Sequence, residues 1–328
     1  MTLIHVDDSL PGITRRRAGR AWAYHDAEGS RISERDEIDR LNAIALPPAY
    51  VDCWFSPAPN GHILATGFDA RGRKQYRYHP DFRAAREAEK YEATRAFGAK
   101  LPLLRKRLSE DLAVRQVVRE TSIAAVVRLL DLGALRIGNE QYAKANRSFG
   151  ATTLRRRHAE LTGQTLKLRF KAKSGKERRV AISDRVLARV VRRLTDLPGQ
   201  HLFQYPDEEG DGACPVTSAD VNAYIRETMG GPFSAKNFRT WAASVHAFEL
   251  LAGAKARLGL KPMLDLVADR LGNTPTIARK SYVHPALIDL AKDGQEDWRA
   301  GLRLPRRTQW LSREERGLIL FLEERGAD

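Results

Sequence analysis

Alternation of apolar and polar residues dominates the first quarter of the chain, and apolar residues spaced three or four apart dominate the rest. Residues 12–17 and 21–26 read as strands, with turn residues at Glu28-Gly29-Ser30. A short helix is predicted after Ser33, which Asp36 follows three residues on, and Leu46-Pro47-Pro48 ends it. Residues 50–55 and 62–68 read as a hairpin across Asn60-Gly61, and 74–79 as a last strand. On that strand Gln75, Arg77 and His79 share one face and Lys74, Tyr76 and Tyr78 the other, so one of these faces is expected to bury. Together these elements predict a small antiparallel sheet domain over residues 1–80.

Pro80-Asp81 marks a change of period. Helical spacing covers 82–97, 101–119 and 122–132, with Gly133 as a C-terminal cap. Gly138-Asn139 starts another helix, to about Arg147. Residues 151–182 interrupt the helices: 166–170 and 177–182 alternate and face each other across Lys173-Ser174-Gly175-Lys176. Helices resume at 183–195, 218–229, 234–252, 261–271 and 275–291, and 312–324 reads as an amphipathic tail helix. The expected fold class is α+β: the sheet domain, then a mainly helical domain over residues 81–328 with a β-hairpin inside it.

Composition adds little until charge is counted. The 328 residues suffice for two domains, and 42% hydrophobic residues exclude wholesale disorder. The net charge is +15, unevenly placed: residues 1–80 hold 11 basic and 10 acidic residues, residues 151–180 hold 10 and 2. A concentrated excess suits a surface that tracks phosphates, each contact adding affinity by counterion release. A polyanion is the expected partner, nucleic acid or an anionic membrane. An anionic membrane fits less well, because the cations fall on strands and hairpins rather than along one amphipathic helix. No apolar run approaches the ~20 residues of a membrane span, and residues 1–8 lack the pattern of a secretory signal. A cytoplasmic, nucleoid-associated protein is expected.

Metal and cofactor chemistry is not expected. Cys53 and Cys214 lie far apart with no CxxC pair, and no HExxH occurs. The nearest string to a nucleotide-binding loop, Gly133-Ala-Leu-Arg-Ile-Gly138-Asn139, has Asn where the phosphate-binding Lys must be, so no nucleotide is expected. Asp207, Glu208, Glu209 and Asp211 form the one dense acidic cluster, in a Pro/Gly-flanked stretch that reads as a solvated loop rather than a magnesium site.

Five residues fit a different chemistry. Phosphodiester transfer needs a nucleophile, donors for the nonbridging oxygens and an acid for the leaving alkoxide. Tyrosine can attack, but with a pKa of ~10 it needs assistance at neutral pH. Arginines grip phosphate oxygens with forked, permanent charges. Lysine can protonate the leaving oxygen, and an amide can bind a nonbridging oxygen. Taken singly, Tyr282 reads as a packing residue, Arg136 as a surface cation, Arg239 as half of an ion pair and Asn273 as a helix C-cap. Lys173 competes with Lys171 and Lys176 on the same turn.

Their contexts are Leu-Arg136-Ile-Gly-Asn, Phe-Lys-Ala-Lys173-Ser-Gly-Lys, Lys236-Asn-Phe-Arg239-Thr-Trp and Leu-Gly-Asn273-Thr-Pro-Thr-Ile-Ala-Arg-Lys-Ser-Tyr282-Val-His. In that order and spacing the chain resembles the type IB DNA topoisomerases of the small poxviral and bacterial kind, relatives of the tyrosine recombinases. The resemblance covers nearly the whole chain, including Gly72-Arg-Lys-Gln-Tyr-Arg-Tyr-His79. It implies that Tyr282 attacks a DNA phosphate to give a 3′-phosphotyrosine and a free 5′-hydroxyl. Arg136, Arg239 and Asn273 would then stabilise the transition state, and Lys173 would protonate the leaving oxygen with help from Arg136. Asn273 stands where poxviral members have His. Relaxation would need neither metal nor ATP, and the protein would act as a monomer encircling duplex DNA. Arg71, Lys74, Gln75, Tyr76 and Tyr78 in the first domain, and Lys167, Arg169, Lys171, Lys176 and Lys236 in the second, are the candidate DNA contacts.

Two other readings share some of these residues. A site-specific recombinase shares the tyrosine chemistry. Its family usually has His-x-x-Arg where this chain has Lys236-Asn-Phe-Arg239, His or Trp where Asn273 stands, and a helical first domain. A passive DNA clamp is compatible with the charge alone.

Overall fold

The computed structural model describes residues 2–207, 210 and 212–325. Glu208, Glu209 and Asp211 of the acidic cluster lie outside those residues. The chain divides into two compact units, Met1–Lys90 and Tyr91–Asp328.

In the first unit β1 (Ile13–Ala18), β2 (Ala21–His25), α1 (Arg35–Ala43), β3 (Val51–Phe55), β4 (Ile63–Phe68) and β5 (Lys74–Tyr78) follow in chain order. The strands form one antiparallel sheet in the order β2-β1-β3-β4-β5. Its core is Ile13, Tyr24, Leu41, Leu46, Cys53, Phe55 and Ala65. Arg15 closes one end, donating to the carbonyls of Leu46 (2.8 Å) and Pro47 (2.5 Å) beyond α1 while its guanidinium lies 4.2 Å from the Trp22 ring. The N-cap of α1 is Glu34 rather than Ser33, and no side chain bonds there.

The expectation that one face of the last strand buries is corrected. β5 is an edge strand, and none of its five residues is buried. The core is completed by β1, β3, β4 and α1, so β5 adds backbone pairing to β4 and leaves its side chains outside.

The second unit is helical around a small sheet. It comprises most of α2 (Pro80–Ala113), then α3 (Arg119–Gly133), α4 (Glu140–Asn146), β6 (Ala159–Thr162), β7 (Thr165–Lys171), β8 (Glu177–Ser183) and α5 (Arg185–Leu194). A two-stranded ribbon, β9 (Gln204–Pro206) and β10 (Ala213–Pro215), leads to α6 (Ser218–Met229), α7 (Ala235–Gly253), α8 (Leu260–Leu271), α9 (Pro275–Ser281), α10 (Pro285–Lys292), α11 (Gln295–Gly301) and α12 (Arg313–Glu324). The helix α3 is central: every residue from Ile123 to Val127 is buried, as are Leu129 and Leu130. β6, β7 and β8 form an antiparallel sheet in that order.

Three sequence expectations differ here. The two helices expected over 82–97 and 101–119 are one, α2, which carries Pro102 in its interior and stops at Ala113. The apolar stripe Phe97, Leu101, Leu104, Leu108, Leu112 runs on past Pro102 and is buried throughout, so packing overrides the local cost of the proline. Gly133 is the last residue of α3 rather than its left-handed cap; Ala134 takes that conformation, at φ 47°. Gly133 instead meets the sheet, where an added Cβ would stand 3.1 Å from Ile182. Finally, the helix expected over 275–291 is broken into α9 and α10, with Tyr282 at the break. Pro285 cannot donate back into α9 and drives His284 to an extended ψ of 136°.

The C-terminal helix α12 is part of this core. Arg105 of α2 bridges Asp131 of α3 (2.9 Å) and Glu315 of α12 (2.7 Å), and Trp241 of α7 donates to Glu315 at 3.1 Å. Burial pushes the Glu315 carboxyl up, but Arg105, the Ser312 backbone and Trp241 outweigh it and hold it below the usual 4.5. Its contribution to stability is therefore complete above the ordinary carboxyl range and is lost as pH falls through the lowered value. Removing one partner of such a buried network costs about 3–5 kcal/mol.

Candidate active site

Arg136 lies in the irregular segment that leaves α3. That segment is pinned against residues 150–153: the Ala151 N–H donates to the Arg136 carbonyl (2.8 Å) and the Thr152 N–H to the Ile137 carbonyl (2.7 Å). Two glycines make the approach possible. Gly138 sits at φ +96°, and a Cβ on Gly150 would stand 2.5 Å from the Gly138 nitrogen and 2.6 Å from the Arg136 carbonyl oxygen.

The side chain of Arg136 crosses to the turn after α8, donating from Nη2 to Oδ1 of Asn273 at 2.6 Å. Gly272, left-handed at φ +63°, caps α8 and turns the chain, and the Asn273 N–H returns to the Ala268 carbonyl. Asn273 thus does extend a helix cap, but its amide is not consumed by it. Nδ2 of Asn273 is buried with no hydrogen-bond partner.

Arg239 comes from α7 and is only 4% exposed. It donates to the carbonyl of Ala134, two residues before Arg136, and to that of Leu271 (3.2 Å), two residues before Asn273. Its guanidinium carbon lies 4.8 Å from the centre of the Tyr282 ring. One side chain therefore joins the segments carrying the other three residues. Its Nε is also buried without a partner. Buried donors without protein partners, Nε of Arg239 and Nδ2 of Asn273, are costly unless an acceptor reaches them.

Tyr282 is half-buried at the α9–α10 break. Ser244 of α7, fully buried, holds that break from both sides: its hydroxyl donates to the Tyr282 carbonyl (3.3 Å) and accepts from the His284 N–H (3.1 Å). Burial pushes the phenol up. Arg239 opposes this by charge and hydrogen bond, Arg136 and Lys173 add their charges, and the net effect holds Tyr282 below its usual 10. Burial conversely lowers Arg239, against the pull of Tyr282; a guanidinium remains charged at neutral pH regardless.

Lys173 opens the turn of the β7–β8 hairpin and is exposed, as are Lys171 and Lys176. Its charge acts on the Tyr282 phenol and lowers it. The structure thus gathers Arg136, Arg239, Asn273 and Tyr282 in direct or one-step contact, with Lys173 on a turn beside them.

A family model described as eukaryotic DNA topoisomerase I, catalytic core, matches residues 79–284, which span every residue of this pocket. The chain belongs to the type IB DNA topoisomerase family. A second family model, bacterial DNA topoisomerase IB, N-terminal domain, matches residues 21–69. DNA topoisomerase 1B of Acanthamoeba polyphaga mimivirus is 29% identical over 300 residues, 88% of this chain and 89% of the viral protein. DNA topoisomerase 1B of Vaccinia virus (strain Copenhagen) is 22% identical over 236 residues, 70% of this chain and 73% of that protein. Among solved structures, the XerH site-specific recombinase bound to palindromic difH substrate in a post-cleavage complex matches 55% of this chain and 47% of its own, at 16% identity and a TM-score of 0.38, too little to carry an argument.

The candidate DNA contacts of this topoisomerase fall into three settings. On β7 the residues Lys167, Arg169 and Lys171 alternate with the buried Leu166, Leu168 and Phe170, so the three cations share the exposed face. Arg169 is engaged by Glu177 (2.9 Å) and Lys167 by Glu160 (3.5 Å). Lys236 is exposed on the first turn of α7, and Lys176 follows the hairpin turn. In the first unit Arg71 is exposed, Lys74 pairs with Asp8 (2.7 Å), and Gln75 donates to Asp69 (3.1 Å). Tyr76 and Tyr78 are 43% and 46% exposed and stack on each other at 5.8 Å.

Sequence reasoning missed four cations and one serine. Lys144, Arg147, Arg155 and Arg157 line a 640 Å³ concavity with Arg169 and Lys171. The run Arg155-Arg156-Arg157 was the available signal. Ser244 carried none, since its role depends on a break between α9 and α10 that helical spacing concealed.

The close approach at Gly150 gives a test that touches no polar side chain. Gly150→Ala forces two backbone segments apart at Arg136, and displacements of about 1 Å cost on the order of 10²-fold in rate. Single-turnover DNA cleavage is expected to fall by about that factor with DNA affinity unchanged. An unaltered cleavage rate would show that the Arg136 segment is not held by this contact.

Proposed function

We propose that this type IB topoisomerase relaxes supercoiled duplex DNA through a 3′-phosphotyrosine on Tyr282, as a monomer encircling one duplex. Tyr282, its phenol proton lost to solvent, attacks a backbone phosphate as the phenolate, forming the new P–O bond and breaking the bond to the 5′ oxygen. Lys173, aided by Arg136, gives that oxygen its proton. Arg239, Arg136 and the free amide of Asn273 hold the nonbridging oxygens as charge builds there. The nicked strand swivels, and the 5′-hydroxyl attacks the phosphotyrosine to restore the original bond. One phosphodiester replaces another, so no external energy source enters the balance.

The single observation that carries this reading is the convergence on Tyr282. A phenol held below its usual range by Arg239, Arg136 and Lys173 stands beside two buried donors with no protein partner. A tyrosine serving only to pack would not call for orphaned donors around it. The basic face of β7, with Lys236 and Lys176, and Arg71, Lys74, Gln75, Tyr76 and Tyr78 of the first unit are the proposed DNA contacts. Residence with the nucleoid follows from that substrate. The proposed domain boundary at residues 80/81 lies ten residues from the division of the two compact units.

The test is relaxation of a negatively supercoiled plasmid in EDTA, without nucleotide. Stepwise relaxation is expected, together with a covalent protein–DNA adduct when detergent stops the reaction. Dependence on divalent metal, on nucleotide or on a second copy of a defined DNA site would overturn the proposal, the last in favour of recombination.

A further inference from the structure

Arg178 occupies a position that the sheet pattern reserves for an apolar side chain. It lies across from Phe170 in the β7–β8 ladder and alternates with Val180 and Ile182, on the side of β8 that turns toward the core. Its guanidinium leaves the sheet altogether. It donates to the carbonyl of Arg270 (2.5 Å) and to that of Asp269 (3.3 Å), at the C-terminal end of α8. Terminal helix carbonyls lack intrahelical partners and carry the negative end of the helix dipole, so a cation is favoured there.

The contact is built into the turn beneath it. Gly272 is the left-handed cap of α8, and a Cβ at that position would stand 2.9 Å from Nη1 of Arg178. The space above Gly272 is therefore filled by Arg178, and Asn273 is the next residue. Burial lowers Arg178, as does the nearby Arg136 charge, while Asp269 raises it.

These contacts place one end of Arg178 on the turn that carries Asn273 and the other on the hairpin that carries Lys173, five positions earlier. Among the described residues, the backbone bonds of the hairpin turn tie it to itself and to Phe149: Ala172 N–H to the Lys176 carbonyl, Gly175 N–H to the Ala172 carbonyl, Phe149 N–H to the Lys171 carbonyl. None of these bonds sets the distance from Lys173 to the phosphate pocket. We propose that Arg178 is a positioning residue for proton delivery: it latches the hairpin onto the α8–α9 turn so that Lys173 meets the leaving 5′ oxygen. The inference rests on the assignment of Lys173 as the acid, and its test separates the two.

The test compares single-turnover cleavage of two duplexes, one ordinary and one with sulfur in place of the 5′ bridging oxygen at the scissile phosphate. A thiolate leaves without a proton, since thiols ionise near a pKa of ~8.5. A defect in proton delivery is thus repaired by sulfur, and a defect in phosphate binding is not. Arg178→Met keeps apolar bulk beside Val180 and removes the donors. It is expected to slow cleavage of the ordinary duplex about 10–100-fold, the scale of a misplaced catalytic group, and to cleave the sulfur duplex at close to the native rate. Arg178→Lys, which retains one donor, should show a smaller defect repaired in the same way, and serves if the Met variant does not fold. Lys173→Ala is the control: failure of sulfur to repair it would remove Lys173 as the acid. Repair of Lys173→Ala with an equal loss on both duplexes for Arg178→Met would overturn the latch alone. So would an Arg178→Met rate equal to native on the ordinary duplex.

Discussion

Tyr282→Phe is expected to abolish covalent adduct formation and plasmid relaxation while leaving DNA affinity intact. The substitution removes one oxygen. The ring that stays keeps its half-buried place at the α9–α10 break and its position 4.8 Å from the Arg239 guanidinium carbon. The backbone bonds from Ser244 to residues 282 and 284 do not involve the side chain at all. Stability should therefore change little. The chemistry has no substitute, because the bond broken in DNA is conserved only by the bond made to the phenol. Loss of a nucleophile that works as part of a unit lowers rates by about 10⁶-fold where it has been measured, beyond the reach of a plasmid assay. Duplex labelled at the 5′ end of the scissile strand, the end that stays joined to the protein through a 3′-phosphotyrosine, tests it directly: a denaturing gel should show no protein-linked DNA for the variant and a retained shift on a native gel. A protein–DNA adduct on the Phe variant would move the nucleophile elsewhere. Relaxation without an adduct would point to a contaminating activity.

What the sequence revealed of this molecule follows from what kind of force places each part. Strand and helix positions set by apolar period were legible. α6 runs over Ser218–Met229, where the pattern predicted it, and β7 and β8 flank the basic turn as expected. Ends and breaks set by tertiary packing were not. Pro102 looked like a boundary and lies inside a continuous helix, because the stripe through Leu101 and Leu104 is buried on both sides of it. The apolar period through 275–291 looked continuous and is broken at Tyr282, because Pro285 starts a new helix. The edge position of β5 was equally hidden: alternation says that two faces exist, while sheet order decides whether either is covered.

The same division runs through the site. The candidate residues Arg136, Arg239, Asn273 and Tyr282 were named from residue type, order and motif, and the fold brings them together. The way they are held was not legible there. Taken alone, Arg239 reads as half of an ion pair, while its hydrogen-bond partners are the carbonyls of Ala134 and Leu271. Taken alone, Arg136 reads as a surface cation, while it closes on Asn273. Backbone carbonyls exposed at helix ends have no signature in a sequence, because every residue owns one. The long-range pairing of α3 with α8 through a single guanidinium therefore appears only when the fold is assembled.

That guanidinium predicts the second large effect. On the proposed mechanism Arg239→Ala removes a donor to the scissile phosphate, a loss worth ~10²–10³-fold in comparable sites. It also removes the cation that most strongly opposes the burial of Tyr282, so the phenol rises. The sign is fixed: a lower phenol pKa gives more of the attacking form at a given pH, and taking the cation away moves the alkaline rise of the cleavage rate to higher pH. Arg239→Ala further strands two buried carbonyls, at about 1–3 kcal/mol for an unsatisfied buried group, and some of its rate loss will come from that disorder. Arg239→Lys separates the effects. A lysine keeps a positive charge near Tyr282 but lacks the fork that reaches Ala134 and Leu271 together. Its cleavage rate should fall, while the pH of the alkaline rise stays near that of the native enzyme. Single-turnover cleavage across the neutral and alkaline range, on one duplex for all three proteins, reads both quantities. An alkaline rise at the same pH in the native, Ala and Lys proteins would mean that Arg239 acts on the phosphate alone. A Lys variant shifted as far as the Ala variant would mean that geometry, and not charge, sets the reactivity of Tyr282.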